Sequence, residues 1–130
     1  MWIYGGNKMI YGVGTDILSA ERIRTIPEDD VFCRTVFTDA EKEQSKESGD
    51  SRKFFTGRFA AKEAVFKALS PDPDTSRLNE IEILNDANGK PVVCLHGNMQ
   101  KLADEAGITK IHVSVSHETE YSLAFAVAEM

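Results

Sequence analysis

The spacing of apolar residues along this chain changes period several times, and each change predicts an element. From Met9 to Ile17 the residues alternate, with Tyr11, Val13, Thr15 and Ile17 on one face and Ile10, Gly12, Gly14 and Asp16 on the other. That two-residue period predicts a strand. Its second face is nearly bare of side chains, which lets another element approach closely. Ser19 and Glu21 then predict a short capped helix. Thr38 and Glu41 have capping-box spacing, so a further helix is expected from about Asp39 to near Gly49. A third runs from about Ser51 to Ser70, and between Phe54 and Leu69 it is apolar almost all round, as a helix in the middle of a fold would be. Pro71 and Pro73 end it, and residues 71–79 read as an exposed loop.

The second half is built mostly of short strands. Ile81 to Leu84 and Val92 to Leu95 flank a hairpin signal, with Asn88-Gly89 at the turn. Met99 to Ala106 predicts a helix stopped by Gly107. Ile111 to Val115 predicts a strand with Ile111, Val113 and Val115 inward and His112, Ser114 and Ser116 on the other face. Tyr121 to Val127 predicts the last strand, after a turn at residues 117–120. This order indicates an α+β fold, a small antiparallel sheet packed on a long central helix.

Length and composition narrow the function classes. With 130 residues, 42% hydrophobic and 28% charged, the chain fits one soluble domain over residues 9–130. Residues 1–8, which precede a second methionine, read as an N-terminal extension or expression remnant. No run suits a membrane span and no secretory pattern opens the chain, so the cytoplasm is expected. Cys33 and Cys94 are expected as reduced thiols. A net charge of −6 argues against broad nucleic-acid binding.

Within the central helix, Arg58, Lys62, Glu63 and Lys67 stand out, because charges on a buried helix need partners. Either they pair within the protein or they meet a charged ligand. If the helix packs on the glycine-bared strand face, Glu63 and Asp16 can converge. Two hard carboxylates with few other protein donors suit Mg²⁺, which completes its shell with water and phosphate oxygens. The plain alternative is that Asp16 caps the next helix and Glu63 pairs with Lys67. Arg58, Lys62 and Lys67 are phosphate ligands if the cleft is open, or snorkelling side chains if it is not. His112, Ser114, Ser116 and His117 form a second polar cluster, without the signature of a nucleophilic triad. Arg22, Arg24 and Arg34 form a basic patch diluted by Glu28, Asp29 and Asp30.

Together these blocks resemble the holo-acyl-carrier-protein synthases, the small class of 4′-phosphopantetheinyl transferases. The matching segments are Gly12-Val13-Gly14-Thr15-Asp16-Ile17 with Arg22, Phe59-Ala60-Ala61-Lys62-Glu63-Ala64 with Lys67-Ala68, Asn88-Gly89-Lys90-Pro91, and His112 to His117. The resemblance implies transfer of the phosphopantetheine arm of coenzyme A to a serine of an acyl carrier protein, in support of fatty acid synthesis. It implies that Asp16 and Glu63 hold Mg²⁺, and that Glu63 and Lys67 act in catalysis. Arg58, Lys62, His112 and Ser114, with Asn88, Gly89, Lys90 and Pro91, would bind the nucleotide end of coenzyme A. Arg22 and Arg24 would face the carrier protein. It also implies a homotrimer with sites shared between subunits. Two rival readings use the same scaffold: a metal-dependent phosphohydrolase and a non-catalytic nucleotide-binding subunit.

Overall fold

A computed structural model describes residues 9–27 and 30–130. Residues 1–8 and the acidic pair Glu28 and Asp29 lie outside the described residues. The elements in order are strand β1 (Ile10–Ser19), helices α1 (Ala20–Arg24), α2 (Val31–Val36), α3 (Asp39–Glu47) and α4 (Ser51–Leu69), strands β2 (Ile81–Asn85) and β3 (Pro91–Leu95), helix α5 (Gly97–Ala106), and strands β4 (Lys110–His117) and β5 (Tyr121–Glu129). A 3-10 turn, Leu78–Glu80, leads into β2.

The strands form two units. An antiparallel sheet has the order β1-β5-β4, and β2 and β3 make a separate hairpin. The predicted α+β architecture therefore holds, with the hairpin set apart from the main sheet. Helix α2 was not foreseen. It is six residues long, too short for a readable period, yet Asp30 caps it by accepting from Phe32 N at 2.8 Å. It carries Cys33 and Val36 into the core, while Phe32 stacks on Phe59 of α4.

Small residues set the distance between α4 and the sheet. Ala60, Ala61, Ala64 and Ala68 on the helix and Ala124, Ala126 and Ala128 on β5 are all essentially inaccessible. On β1 the facing positions are Gly12 and Gly14. A Cβ at Gly12 would overlap the carbonyl oxygen of Ala68, and one at Gly14 that of Ala64. The bare strand face thus receives the helix backbone itself. Gly14→Ala is expected to force α4 outward and cost about 1–3 kcal/mol, read as a lower urea midpoint with an unchanged slope. An unchanged midpoint would refute the close approach. The alternation of β1 breaks at an irregularity between Ile10 and Gly12, and Ile10, expected on the glycine face, is exposed.

A buried ion pair ties α3 to α4 and β2. Glu41 and Lys62 are both fully buried, with Lys62 Nζ 2.7 Å from Glu41 Oε1. Glu41 also closes the Thr38 capping box and accepts from Ile83 N at 2.9 Å. Lys62 Nζ donates in addition to Leu78 O at 3.1 Å and Ile81 O at 2.6 Å. Burial lowers the Lys62 ammonium from its ordinary value, and Glu41 opposes that shift.

Candidate active site

Once α4 lies on the glycines, the next inward position of β1 is Asp16, which brings its carboxylate to the flank of the helix. Lys67 of α4 bridges the two elements. Its Nζ donates to Thr15 O at 2.9 Å and lies 3.5 Å from Asp16 Oδ1. Ser19 rather than Asp16 caps α1, accepting from Glu21 N at 3.2 Å. Asp16 is thereby left for the site.

Glu63 stands beside this pair. Its carboxyl is held above the ordinary carboxylate range, first by burial and then by the negative charge of Asp16, while Lys67 and Arg22 pull it down. The two carboxylates thus feel each other electrostatically, with two cations near them. This is an all-oxygen donor set at one open flank, and its mutual repulsion is relieved by a hard divalent cation. The chemistry of these two carboxylates therefore fits Mg²⁺, which they would hold.

A second cleft lies on another side of α4. Arg58 and Glu63 are five positions apart, about 140° around a helix. Arg58 lines a cavity of about 560 Å³ together with Phe54, Asn85, Gly89, Lys90, Pro91 and Ser114, among others. The guanidinium is nearly inaccessible and donates from Nη2 to Asn85 Oδ1 at 2.6 Å. It also lies over the Phe54 ring, 4.6 Å from the centroid. Burial lowers its pKa, with Glu41 opposing. Its Nε has no hydrogen-bond partner, and among the described residues it is the one buried side-chain nitrogen or oxygen in that condition. A buried guanidinium held by a neutral amide, with a donor unsatisfied, suits an incoming anion.

Gly89 adopts φ +80° in the hairpin turn, a left-handed conformation that glycine takes without strain. Asp86 secures the turn by accepting from the backbone nitrogens of Asn88 and Lys90, both at 2.9 Å. The turn therefore delivers Gly89, Lys90 and Pro91 to the cavity, whereas Asn88 is not among its lining residues.

Two expectations need revision. Lys62 was expected to reach nucleotide phosphates, but it is fully buried and spent on Glu41 and two carbonyls. It is a structural cation. His112 does not join the Arg58 cavity; it lines a neighbouring groove of about 410 Å³ with Lys90 and Pro91, and its Nε2 lies 3.9 Å from Glu129 Oε2. Within one chain, His112 and Arg58 thus belong to different clefts. Arg22 is exposed and close enough to influence Glu63. Arg24 is exposed and paired with Glu21 at 2.9 Å. His117, read from the sequence as part of the second polar cluster, also lines the Arg58 cavity, and so does Asn85, which was not singled out. Asn85 sits where the hairpin strand meets its turn, and no periodicity marks that role.

Comparison with known proteins agrees with this geometry. A family model described as the 4′-phosphopantetheinyl transferase superfamily matches residues 12–126. A holo-[acyl-carrier-protein] synthase of Halothermothrix orenii is 37% identical over 123 residues, covering 93% of this chain and 98% of that protein. The crystal structure of a holo-[acyl-carrier-protein] synthase from Neisseria meningitidis superposes with a TM-score of 0.84 at 35% identity, covering 94% of this chain and all (100%) of that one. A synthase from Bacillus anthracis in complex with CoA (3′,5′-ADP) superposes with a TM-score of 0.75 at 31% identity, covering 93% of this chain and 97% of that one. With matches that span nearly its whole length and both of the clefts that α4 organises, the chain belongs to the 4′-phosphopantetheinyl transferase superfamily.

Proposed function

We propose that this protein is a holo-acyl-carrier-protein synthase, transferring the phosphopantetheine arm of coenzyme A to a serine of an apo acyl carrier protein and releasing adenosine 3′,5′-bisphosphate. The observation that carries the reading is the convergence of Asp16, Glu63 and Lys67 where β1 meets α4. The serine oxygen forms a bond to the β-phosphorus of the coenzyme A pyrophosphate, and the bond from that phosphorus to the bridging oxygen breaks. Asp16 and Glu63 would hold Mg²⁺, which would supply charge neutralisation to the reacting pyrophosphate. Lys67 offers a further cation to the phosphoryl group as its charge grows. Glu63, a carboxylate of this site, would take the serine proton. The nucleophile arrives on the partner, which accounts for a site without one of its own.

Arg58, with its unsatisfied Nε, would bind a phosphate of the nucleotide end, and Gly89, Lys90, Pro91 and Ser114 would border the base. His112 and Asn88 would contact the nucleotide from the adjoining groove and turn. Because the Arg58 cavity and the Asp16–Glu63 flank lie on different sides of α4, one bound coenzyme A would use the two from different subunits. The outer face of the main sheet supports such an assembly: Tyr11, Val13, Ile17, Leu123 and Phe125 are 40–64% exposed. The copy number comes from the family resemblance, which implies a homotrimer, and we take this apolar face to be covered by further copies of the chain. Light scattering is expected to return the mass of three 14.4 kDa chains; the mass of one chain would overturn the shared site.

Arg22, with Arg24, would meet the acidic carrier protein. Arg22→Glu is expected to raise the KM for carrier roughly tenfold or more while leaving that for coenzyme A within twofold, since a rim charge steers the partner. Equal losses for both substrates would displace the partner surface from α1. The functional unit is the single domain of residues 9–130, acting in the cytoplasm in support of fatty acid synthesis. No helix among the described residues is long and apolar enough to cross a membrane.

The direct test mixes the protein with coenzyme A, Mg²⁺ and apo carrier protein and weighs the carrier intact. A gain of one phosphopantetheine confirms transfer. Hydrolysed coenzyme A with an unmodified carrier would identify a phosphohydrolase, and binding without turnover a regulatory subunit.

A further inference from the structure

The β2–β3 hairpin turns one face to the core, through Ile81, Ile83, Val93 and Leu95. Its other face carries Glu82 opposite Cys94 as cross-strand neighbours. Directly opposed residues of an antiparallel pair project to the same side, as do residues two apart on one strand. His96, two beyond Cys94 and at the N-cap of α5, therefore joins them. One ligand atom from each of Glu82, Cys94 and His96 lies within 4.8 Å of the other two. His96 Nε2 is already 3.2 Å from Glu82 Oε1. In a tetrahedral zinc site with the usual bond lengths, neighbouring donor atoms stand about 3.3–3.6 Å apart, so modest side-chain rotation closes the set.

The carboxylate is oriented from behind. Thr38, the cap of α3, donates through Oγ1 to Glu82 Oε2 at 2.6 Å. This leaves Oε1 directed at His96. An outer partner of this kind is what fixes a metal-ligating carboxylate in working sites. Burial would raise the Glu82 carboxyl, yet the hydrogen bonds from Thr38 and His96 hold it below its ordinary range. Cys94 and His96 are exposed, so an ion has an open path and a free fourth position for water. A thiolate and an imidazole favour zinc-like cations, and they disfavour Mg²⁺ and Ca²⁺.

We propose that Glu82, Cys94 and His96 form a binding site for a zinc-type divalent cation, distinct from the Asp16–Glu63 pair. Binding displaces the thiol proton of Cys94 and replaces the His96–Glu82 hydrogen bond by two metal bonds. The ion then fastens both hairpin strands to the start of α5 and, through Thr38, to α3. The hairpin's opposite end carries Gly89, Lys90 and Pro91 into the Arg58 cavity, so occupancy stiffens the element that presents them.

The test titrates Co²⁺ into the metal-free, reduced protein in excess Mg²⁺, which keeps the hard site filled. One equivalent is expected to bind, with a thiolate-to-cobalt charge-transfer band that Zn²⁺ bleaches. Cys94→Ser should abolish the band, and His96→Ala should weaken Co²⁺ binding at least about tenfold. Both positions are exposed, so both variants should fold as the parent does, which circular dichroism checks. Three results would each overturn the proposal: no charge-transfer band at saturating Co²⁺, a band that persists in Cys94→Ser, or His96→Ala binding as tightly as the parent. The readout is spectroscopic, so it stands or falls independently of phosphopantetheinyl transfer.

Discussion

Asp16→Asn and Glu63→Gln should each lower Mg²⁺-dependent transfer on the order of 10³-fold, about 4 kcal/mol of transition-state stabilisation. Both substitutions preserve shape and remove a negative charge. The fold should survive, because the two carboxylates repel each other: burial and Asp16 already push Glu63 above its ordinary range. Removing one charge relieves that repulsion, so the apo protein should be at least as stable as the parent in urea. The combination of lost turnover with undiminished stability is diagnostic of a functional site whose strain is kept for ligand binding. Asp16→Asn also loosens Lys67, whose Nζ lies 3.5 Å from Asp16 Oδ1. Lys67 would still donate to Thr15 O and so stay in place. Raising the Mg²⁺ concentration should recover part of the activity of either variant if the loss lies in metal affinity. Activity within twofold of the parent in either one would remove that residue from the metal site.

The other large effect belongs to stability. Lys62→Met should destabilise the protein by about 3–5 kcal/mol, because it leaves the fully buried Glu41 as an uncompensated charge. Glu41 would keep its contacts with the backbone nitrogens of Thr38 and Ile83 but lose its counter-charge. The carbonyls of Leu78 and Ile81 would lose the donor they share. Adding Glu41→Gln to Lys62→Met should recover part of the loss, since a neutral amide still accepts one of those bonds. The two substitutions are therefore expected to be strongly non-additive, as a double-mutant cycle in urea would show. A Lys62→Met variant within about 1 kcal/mol of the parent would mean that Lys62 is not needed to neutralise Glu41. The same result would reopen a nucleotide role for Lys62.

The site at Asp16 and Glu63 was legible in the sequence, and the Lys62–Glu41 pair was not. Gly12 and Gly14 showed that β1 had a bare face, the apolar circumference of α4 showed which element belonged against it, and Asp16 and Glu63 follow from that one docking. The capping box of Thr38 and Glu41 was readable because its partners are three residues apart. The Asn88-Gly89 turn was readable because Gly89 takes a positive φ. Local rules of this kind act over a few residues, and the chain obeys them. Helix α2 escaped because six residues give less than two turns of period.

What the sequence by itself determined is every strand and every helix but α2, the α+β class, and the pairing of a glycine-bared strand with a helix bearing acidic and basic side chains on its margin. Only the tertiary structure decided which of those charges face solvent. Arg58, Lys62, Glu63 and Lys67 share one helix and look alike in the sequence, yet their fates differ. Lys62 is enclosed with Glu41, Arg58 is held by Asn85 with a donor to spare, and Glu63 and Lys67 stand with Asp16. The physical reason is that a buried charge is tolerable only beside a partner, and partners separated by tens of residues meet only when the chain has folded.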